Sequence, residues 1–260
     1  MTASLVLGLA IGVLLGLLGS GGSILAVPAL VYGAGVPLSA AVPSSLVVVG
    51  VSSATAVAPR LRSGEVQWRI AGVFGAAGAG AAFAGAAVNR LLDPRIVLVG
   101  FAILMVAAGI RMLADQTPTG GACALPGGGV NWRSCLPKAI AAGVVVGFLT
   151  GLFGVGGGFL IIPALVLLLG LPMDLAVGTS LLIIVMNSVA GFAAHAGKVR
   201  LDYGVTAVFT AAAISGSLVA TRLGHRVNAG RLRRWFAYIV FAVAAFVLTQ
   251  TVLDPAALGS

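Results

Sequence analysis

Charge is what this sequence has least of. Only 8% of its 260 residues are Asp, Glu, Lys or Arg, where a soluble domain carries about a quarter, and residues 1–59 contain none. With 60% hydrophobic residues and a mean hydropathy of +1.14, that deficit excludes a soluble globular domain and predicts an integral membrane protein. No basic n-region precedes the first apolar run, so the segment from Leu5 onward is expected to be retained. Six acidic residues and two histidines supply no clustered acids, histidines and cysteines at mid-depth, so neither an enzyme nor a metal or other cofactor is expected. Cys123 and Cys135 sit in a polar stretch without a neighbouring His or third Cys, which supports neither zinc nor a redox pair. The net charge of +9 comes from basic residues in short loops between apolar spans. That pattern writes membrane topology, and no nucleic-acid partner is expected.

What the chain has instead is apolar length. Uncharged apolar stretches run over 5–34, 38–58, 70–88, 96–110, 139–173, 175–194, 203–221 and 235–253. Four lie in each half, and a Gly- and Pro-rich polar linker at 114–137 separates them. The halves repeat each other. GLLGSGGSILAVPALV at Gly16–Val31 returns as GLFGVGGGFLIIPALV at Gly151–Val166, with ten of sixteen positions identical and no gap. The correspondence continues through Pro37 and Pro172, Ala41 and Ala176, and Ser45 and Ser180. The expected fold is therefore all-α and membrane-integral, with two homologous four-segment lobes at 1–113 and 138–254.

Six segments have the length of one tilted span, about 20 residues for ~30 Å of hydrocarbon. The stretches 5–34 and 139–173 are too long, and Gly19–Ser23 and Gly154–Gly158 interrupt them where glycine weakens a helix and permits positive φ. Each is expected to be two half-helices joined at mid-depth. Lys and Arg discriminate between crossing and folding back. If both segments cross, the lobes are parallel and the cations divide seven against eight. If both fold back as re-entrant pairs, the lobes are inverted repeats and the division is eleven against four (Arg90, Arg95, Lys198, Arg200). Only the second arrangement obeys the positive-inside rule. It puts the 59–69, 111–138 and 222–234 loops in the cytoplasm and both termini outside, and it predicts free thiols at Cys123 and Cys135 on the reducing side.

No apolar stretch contains Asp, Glu, Lys or Arg, so an anion at mid-depth would be held by partial charges: backbone N–H groups at a helix start, the helix dipole and hydroxyls. Ser20, Gly21, Gly22 and Ser23 precede one half-helix, and Gly156, Gly157 and Gly158 precede the other. Ser44 and Ser45 recur as Thr179 and Ser180, and Ser52 recurs as Asn187, the most polar side chain of any span. All of these except Ser52, which is noted only as the counterpart of Asn187, are the candidate substrate contacts, and each has a packing alternative. Glycines let helices approach, as small residues at Gly78, Ala82 and Ala86 do. Ser and Thr bond a carbonyl one turn back, and Asn187 fits an interhelical hydrogen bond equally well. Consecutive glycines that break a helix exceed what packing requires, which favours the site reading for the two broken segments. A nucleotide-phosphate loop is not supported, because no Lys-Ser/Thr follows the glycines. His195, ending a span before Lys198 and Arg200, is a candidate proton site or an interfacial histidine. The basic 222–234 loop is a topology determinant that also suits anionic lipid head groups.

The duplicated G-x-G-G…P-A-L-V segment, Thr179–Leu181, Asn187, His195 and Gly197–Val199 resemble the TauE/SafE family of sulfite exporters and related anion permeases, over about Leu5 to Leu253. The resemblance implies a secondary transporter, an exporter of sulfite, organosulfonates or other small anions. It also implies the cytoplasmic (inner) membrane of a bacterium or archaeon, with membrane lipid around it, and often a homodimer. The first repeat departs from the second at Pro43 for Gly178 and at Ser20 for Val155, so a pseudo-symmetric site would be chemically lopsided. An anion channel lined by helix N-termini, or a carrier of a non-sulfur carboxylate, would read alike in sequence.

Overall fold

Long uncharged runs of Leu, Val, Ile and Ala satisfy their backbone in lipid as helices, and helices are what forms. The structure, a computed structural model, describes residues 2–18, 23, 26, 29–30, 34–36, 38–89, 91–92, 94–114, 132–153, 158–195, 203–224 and 229–253. Among the described residues there is no strand. The helices are α1 (Thr2–Leu18), α2 (Leu38–Arg62), α3 (Trp68–Asn89) and α4 (Pro94–Ala114) in the first half. The second half holds α5 (Trp132–Phe153), α6 (Gly158–Pro163), α7 (Met173–His195), α8 (Tyr203–Gly224) and α9 (Ala229–Leu253). Segments of α2, α3, α5, α7 and α8 are long and apolar enough to cross a membrane, which makes this a multi-pass integral membrane protein. Outward-facing Phe83, Ile103 and Val189 give it the apolar exterior that lipid requires.

Where α6 ends, a π-helical turn over Ala164–Leu168 carries the chain on. Gly170 then takes φ +69°, and the Leu171 N–H donates to the Leu165 carbonyl at 3.0 Å. The counterpart positions in the first half do the same: Gly35 has φ +67°, and the Val36 N–H donates to the Leu30 carbonyl at 3.1 Å. Only glycine takes this left-handed turn without strain, and the turn closes off carbonyls a helix end would leave open.

Glycine also sets the packing. A Cβ on Gly8, Gly12 or Gly16 of α1 would collide with the backbone of α8 at Phe209, Ala213 and Ser217 in turn. A Cβ on Gly143, Gly147 or Gly151 of α5 would collide with α3 at Phe74, Gly78 and Ala82. The second set of residues is the repeat counterpart of the first, position by position. Both pairs run parallel, since the contacts advance in the same order along each helix. Parallel, too, are α2 and α8, joined by Ser44–Thr206 at 3.1 Å and Thr55–Ser217 at 3.3 Å. So are α3 and α7: Gln67, just before α3, meets Thr179, and Gly75 lies by Met186. In contrast, α2 and α7 are antiparallel: Gly50 packs on Ser188, and Arg60 feels the charge of Asp174 in the first turn of α7.

Two expectations need correction. The arm before the second glycine run is not a half-helix: α5 has 22 residues, about 33 Å at 1.5 Å per residue, and it accommodates Pro137 near its start. The long helix runs to Phe153, and the described arm beyond the glycines, Gly158–Pro163, is the short one. Nor is Cys135 a free thiol. It is fully buried and disulfide-bonded, because α5 begins at Trp132 and places it in a packed helical turn instead of a solvated linker. The expectation rested on compartment alone, and the chain's other cysteine, Cys123, lies outside the described residues.

The close approaches predict a contrast between glycines. Gly147→Leu drives a side chain into the Gly78 backbone and is expected to cost at least about 2 kcal/mol or prevent folding. Gly72→Ala, where a Cβ meets nothing within 4 Å, is expected to gain about 0.5–1 kcal/mol. Thermal unfolding of the two purified variants in detergent checks this, and equal effects would contradict it.

Candidate functional site

Of the residues expected at the breaks, Ser20, Gly21, Gly22, Gly156 and Gly157 lie outside the described residues. Ser23 and Gly158, the last residues of the two interrupting runs, are described, and they occupy equivalent positions in the repeat. The structure brings them into contact. A Cβ at Gly158 would collide with Ser23 Oγ and stand 3.2 Å from Ser23 Cβ and from Ile184 Cδ1. Both residues are buried, and Ile184 is midway along α7. One turn further along α7, Ser188 packs on Gly50 of α2.

The hydroxyls divide into two groups. Ser44 accepts from Thr206 Oγ1 at 3.1 Å and ties α2 to α8. Thr179 accepts the Gln67 N–H at 3.1 Å and anchors the α2–α3 loop, while Ser180 donates to the Val177 carbonyl of its own helix at 2.9 Å. For these three the packing alternative describes what the structure shows. Ser45 is buried in α2, Asn187 is half-buried on α7, and His195 is the last residue of that helix, its side chain outside the description.

Ser52 and Ser53 behave differently. Both are 0% exposed in the middle of α2, and neither Oγ has a hydrogen-bond partner. A buried hydroxyl without a partner costs about 1–3 kcal/mol, and lipid offers no water to relieve it. Sequence reasoning saw Ser52 only as the counterpart of Asn187 and passed over Ser53. The signal was present, since Ser53 and Ser188 correspond at the same spacing. A second feature was missed at the end of α2, where Arg60 is 3% exposed and its Nη1 lies 2.8 Å from Glu65 Oε2. The charge-free stretch stops at 58, but the helix does not.

Five helices long and apolar enough to cross a membrane, with Ser23 meeting Gly158 beside the middle of α7, define a class: multi-pass helical membrane proteins. The family model described as Sulfite exporter TauE/SafE matches residues 4–247, and the chain belongs to that family. Its relatives include a "Probable membrane transporter protein" of Xylella fastidiosa, 34% identical over 93% of this chain and 92% of the relative. "Probable membrane transporter protein YunE" of Bacillus subtilis is 26% identical over 96% of each chain. "Probable membrane transporter protein MJ0441" of Methanocaldococcus jannaschii is 28% identical over 74% of this chain and 70% of its own. No solved structure matches the chain significantly.

The Ser23–Gly158 contact predicts a compensating pair. Gly158→Ala is expected to lower the melting temperature, and adding Ser23→Gly is expected to restore it, with a coupling of about 0.5–3 kcal/mol. A double-mutant cycle by thermal unfolding checks this; additive effects would contradict the contact.

Proposed function

We propose that this protein is a secondary carrier, working as an exporter, of sulfite, organosulfonates or similar small anions in the cytoplasmic membrane of a prokaryote. The anion sits where the two broken segments meet, at Ser23 and Gly158 with the neighbouring Ser20, Gly21, Gly22, Gly156 and Gly157, and Ser52 and Ser53 complete its shell. The observation that carries this reading is the meeting of Ser23 with Gly158 halfway along α7, on a helix whose partner α2 holds two fully buried, unpartnered hydroxyls. Such groups neutralise an anion by partial charge alone. A modest affinity results, which suits cargo that must be released. Ser45 and Asn187 are further candidates on the same two helices.

The two halves act in this reading as inverted repeats, each opening with a helix followed by a re-entrant return. Helix directions support it. Gly16 at the end of α1 and Thr55 late in α2 both neighbour Ser217 of α8, so the chain must travel back between them. The counterpart helices α2 and α7 run antiparallel. Because α2 and α8 run parallel, their last turns carry Arg60, Arg62 and Arg222 on one side, which favours the division of eleven cations against four. Relatives in two bacteria and an archaeon agree with the proposed membrane.

Proteoliposome uptake of labelled sulfite, sulfoacetate and lactate, with and without a proton gradient, tests the reading. Saturable sulfite or sulfonate flux with counterflow is expected, lost in Gly156→Leu and weakened about tenfold in apparent affinity by Ser53→Ala, the scale of one missing hydrogen bond. Absence of flux for all three anions would refute the sulfur-anion assignment, and flux without saturation or counterflow would refute a carrier.

A further inference from the structure

Thr55 Oγ1 of α2 and Ser217 Oγ of α8 stand 3.3 Å apart, beyond the roughly 2.5–3.0 Å of a good bond between two hydroxyls. Each has a shorter bond within its own helix. Thr55 donates to the Ser52 carbonyl at 2.8 Å, and Ser217 donates to the Ile214 carbonyl at 2.9 Å. A hydroxyl has one proton and two lone pairs, so with both protons directed elsewhere the two oxygens face each other with lone pairs. One turn before Thr55, on the same side of α2, Ser52 is 0% exposed and its Oγ has no hydrogen-bond partner. Pro59 lies inside α2 and has no N–H, so the Thr55 carbonyl lacks the donor that a helix supplies four residues on.

The end of α1 comes to the same place. Gly16 lies against the Ser217 backbone, and α1 stops two residues later, at Leu18. A helix end leaves its last carbonyls without intrahelical donors and carries about half a negative charge. The counterpart end, that of α5, is closed by an amide: Asn89 Nδ2 donates to the Leu152 carbonyl at 2.5 Å. In the repeat Gly224 corresponds to Asn89, while Ala190 and Ala82 correspond to Thr55 and Ser217. The oxygen-lined junction therefore belongs to one half only. Arg60, five residues past Thr55, is rotated about 140° away around α2 and is paired with Glu65. Arg222 is exposed in the last turn of α8.

We infer that this junction of α1, α2 and α8 is a sodium site, with the hydroxyl oxygens of Thr55, Ser217 and Ser52 and backbone carbonyls as ligands. Lone pairs, open carbonyls and the negative end of a helix attract a cation and repel an anion. Two oxygens about 2.3–2.4 Å from one hard cation, at a right angle, stand ~3.3 Å apart. A larger monovalent ion holds its oxygens further apart, and a divalent ion lacks here the carboxylates that offset its dehydration. Ser52 takes the ion through a lone pair and keeps its proton for an anion, so the bound cation favours anion binding in the middle of α2. That coupling rests on the proposed anion transport; sodium binding itself does not.

Thermal unfolding in detergent, in sodium chloride and in potassium chloride of equal concentration, tests the site in four proteins: unmodified, Thr55→Val, Ser217→Ala and Ser215→Ala. Ser215 is exposed on α8 and bonds the Ala211 carbonyl of its own helix, so its variant is the control. The unmodified protein is expected to gain about 3–5 °C for each tenfold rise in sodium beyond its dissociation constant, and less in potassium. Thr55→Val and Ser217→Ala are expected to need about tenfold more sodium for the same gain, the scale of one lost ligand, and Ser215→Ala the same amount. Equal responses to sodium and potassium, or an unaltered sodium response in folded Thr55→Val and Ser217→Ala, would overturn the inference and leave two packed hydroxyls. If one of these variants does not fold, the other decides. In sulfite flux, sodium is expected to lower the half-saturating sulfite concentration about fivefold or more, and an unchanged value would overturn the coupling. A selective sodium response without any sulfite flux would keep the site and remove the carrier reading; saturable flux without a selective sodium response would do the reverse.

Discussion

Backbone-to-backbone contact between helices is the constraint from which the arrangement follows. Lipid gives apolar helices no hydrophobic reason to associate, so their packing comes from close approach and polar contacts. Here it comes from glycines of α1 seated on the α8 backbone and glycines of α5 seated on α3. Each pairing joins the first helix of one half to a late helix of the other. Neither half therefore forms a bundle alone, and α2 and α7 are left facing each other across the centre. The broken segments start from the ends of α1 and α5, so the same glycines position everything that follows them.

Interrupted helices are tolerated at membrane depth only where protein covers the open backbone. The short arm after the second break is covered: Leu160, Ile161, Ile162 and Leu165 are buried along α6 and its π-helical continuation. Ser52 and Ser53 of α2 are fully buried as well, and in such surroundings a hydrogen bond is electrostatically stronger than in water. The middles of α2 and α7 offer dipoles and no formal charge.

Much of this was legible in the sequence because lipid enforces simple rules. Charge-free runs marked where helices lie, although α5 and α9 begin several residues earlier, at Trp132 and Ala229, and the duplicated glycine segment contained the residues Ser23 and Gly158 that meet. Individual hydroxyls were not legible. Ser44, Thr179 and Ser180 look alike in sequence to Ser52 and Ser53, and what separates them is a partner on another helix or a carbonyl within reach, which only the packing supplies. Arm lengths were misjudged because a glycine run shows that a helix stops but not how far it has already travelled. The Arg60–Glu65 pair was missed for a related reason. Its residues read as an ordinary basic loop, and burial beneath a reversed turn against Gly178 of α7 cannot be seen from composition. Cys135 was misread when compartment was allowed to stand in for geometry.

The central claim is that the two broken segments meet at one point and that transport passes through it. Ser23 Cβ stands 3.2 Å from where a Cβ on Gly158 would be, near the roughly 3.5–4.5 Å that a disulfide spans between Cβ atoms. The most direct measurement is therefore oxidative cross-linking of Ser23→Cys with Gly158→Cys, in a protein whose Cys123 and Cys135 are replaced by Ser, followed by anion flux before and after reduction. The account predicts rapid cross-linking in the membrane that stops flux, and recovery of flux on reduction. Failure to cross-link in folded protein, or a cross-linked protein that transports unhindered, would contradict it.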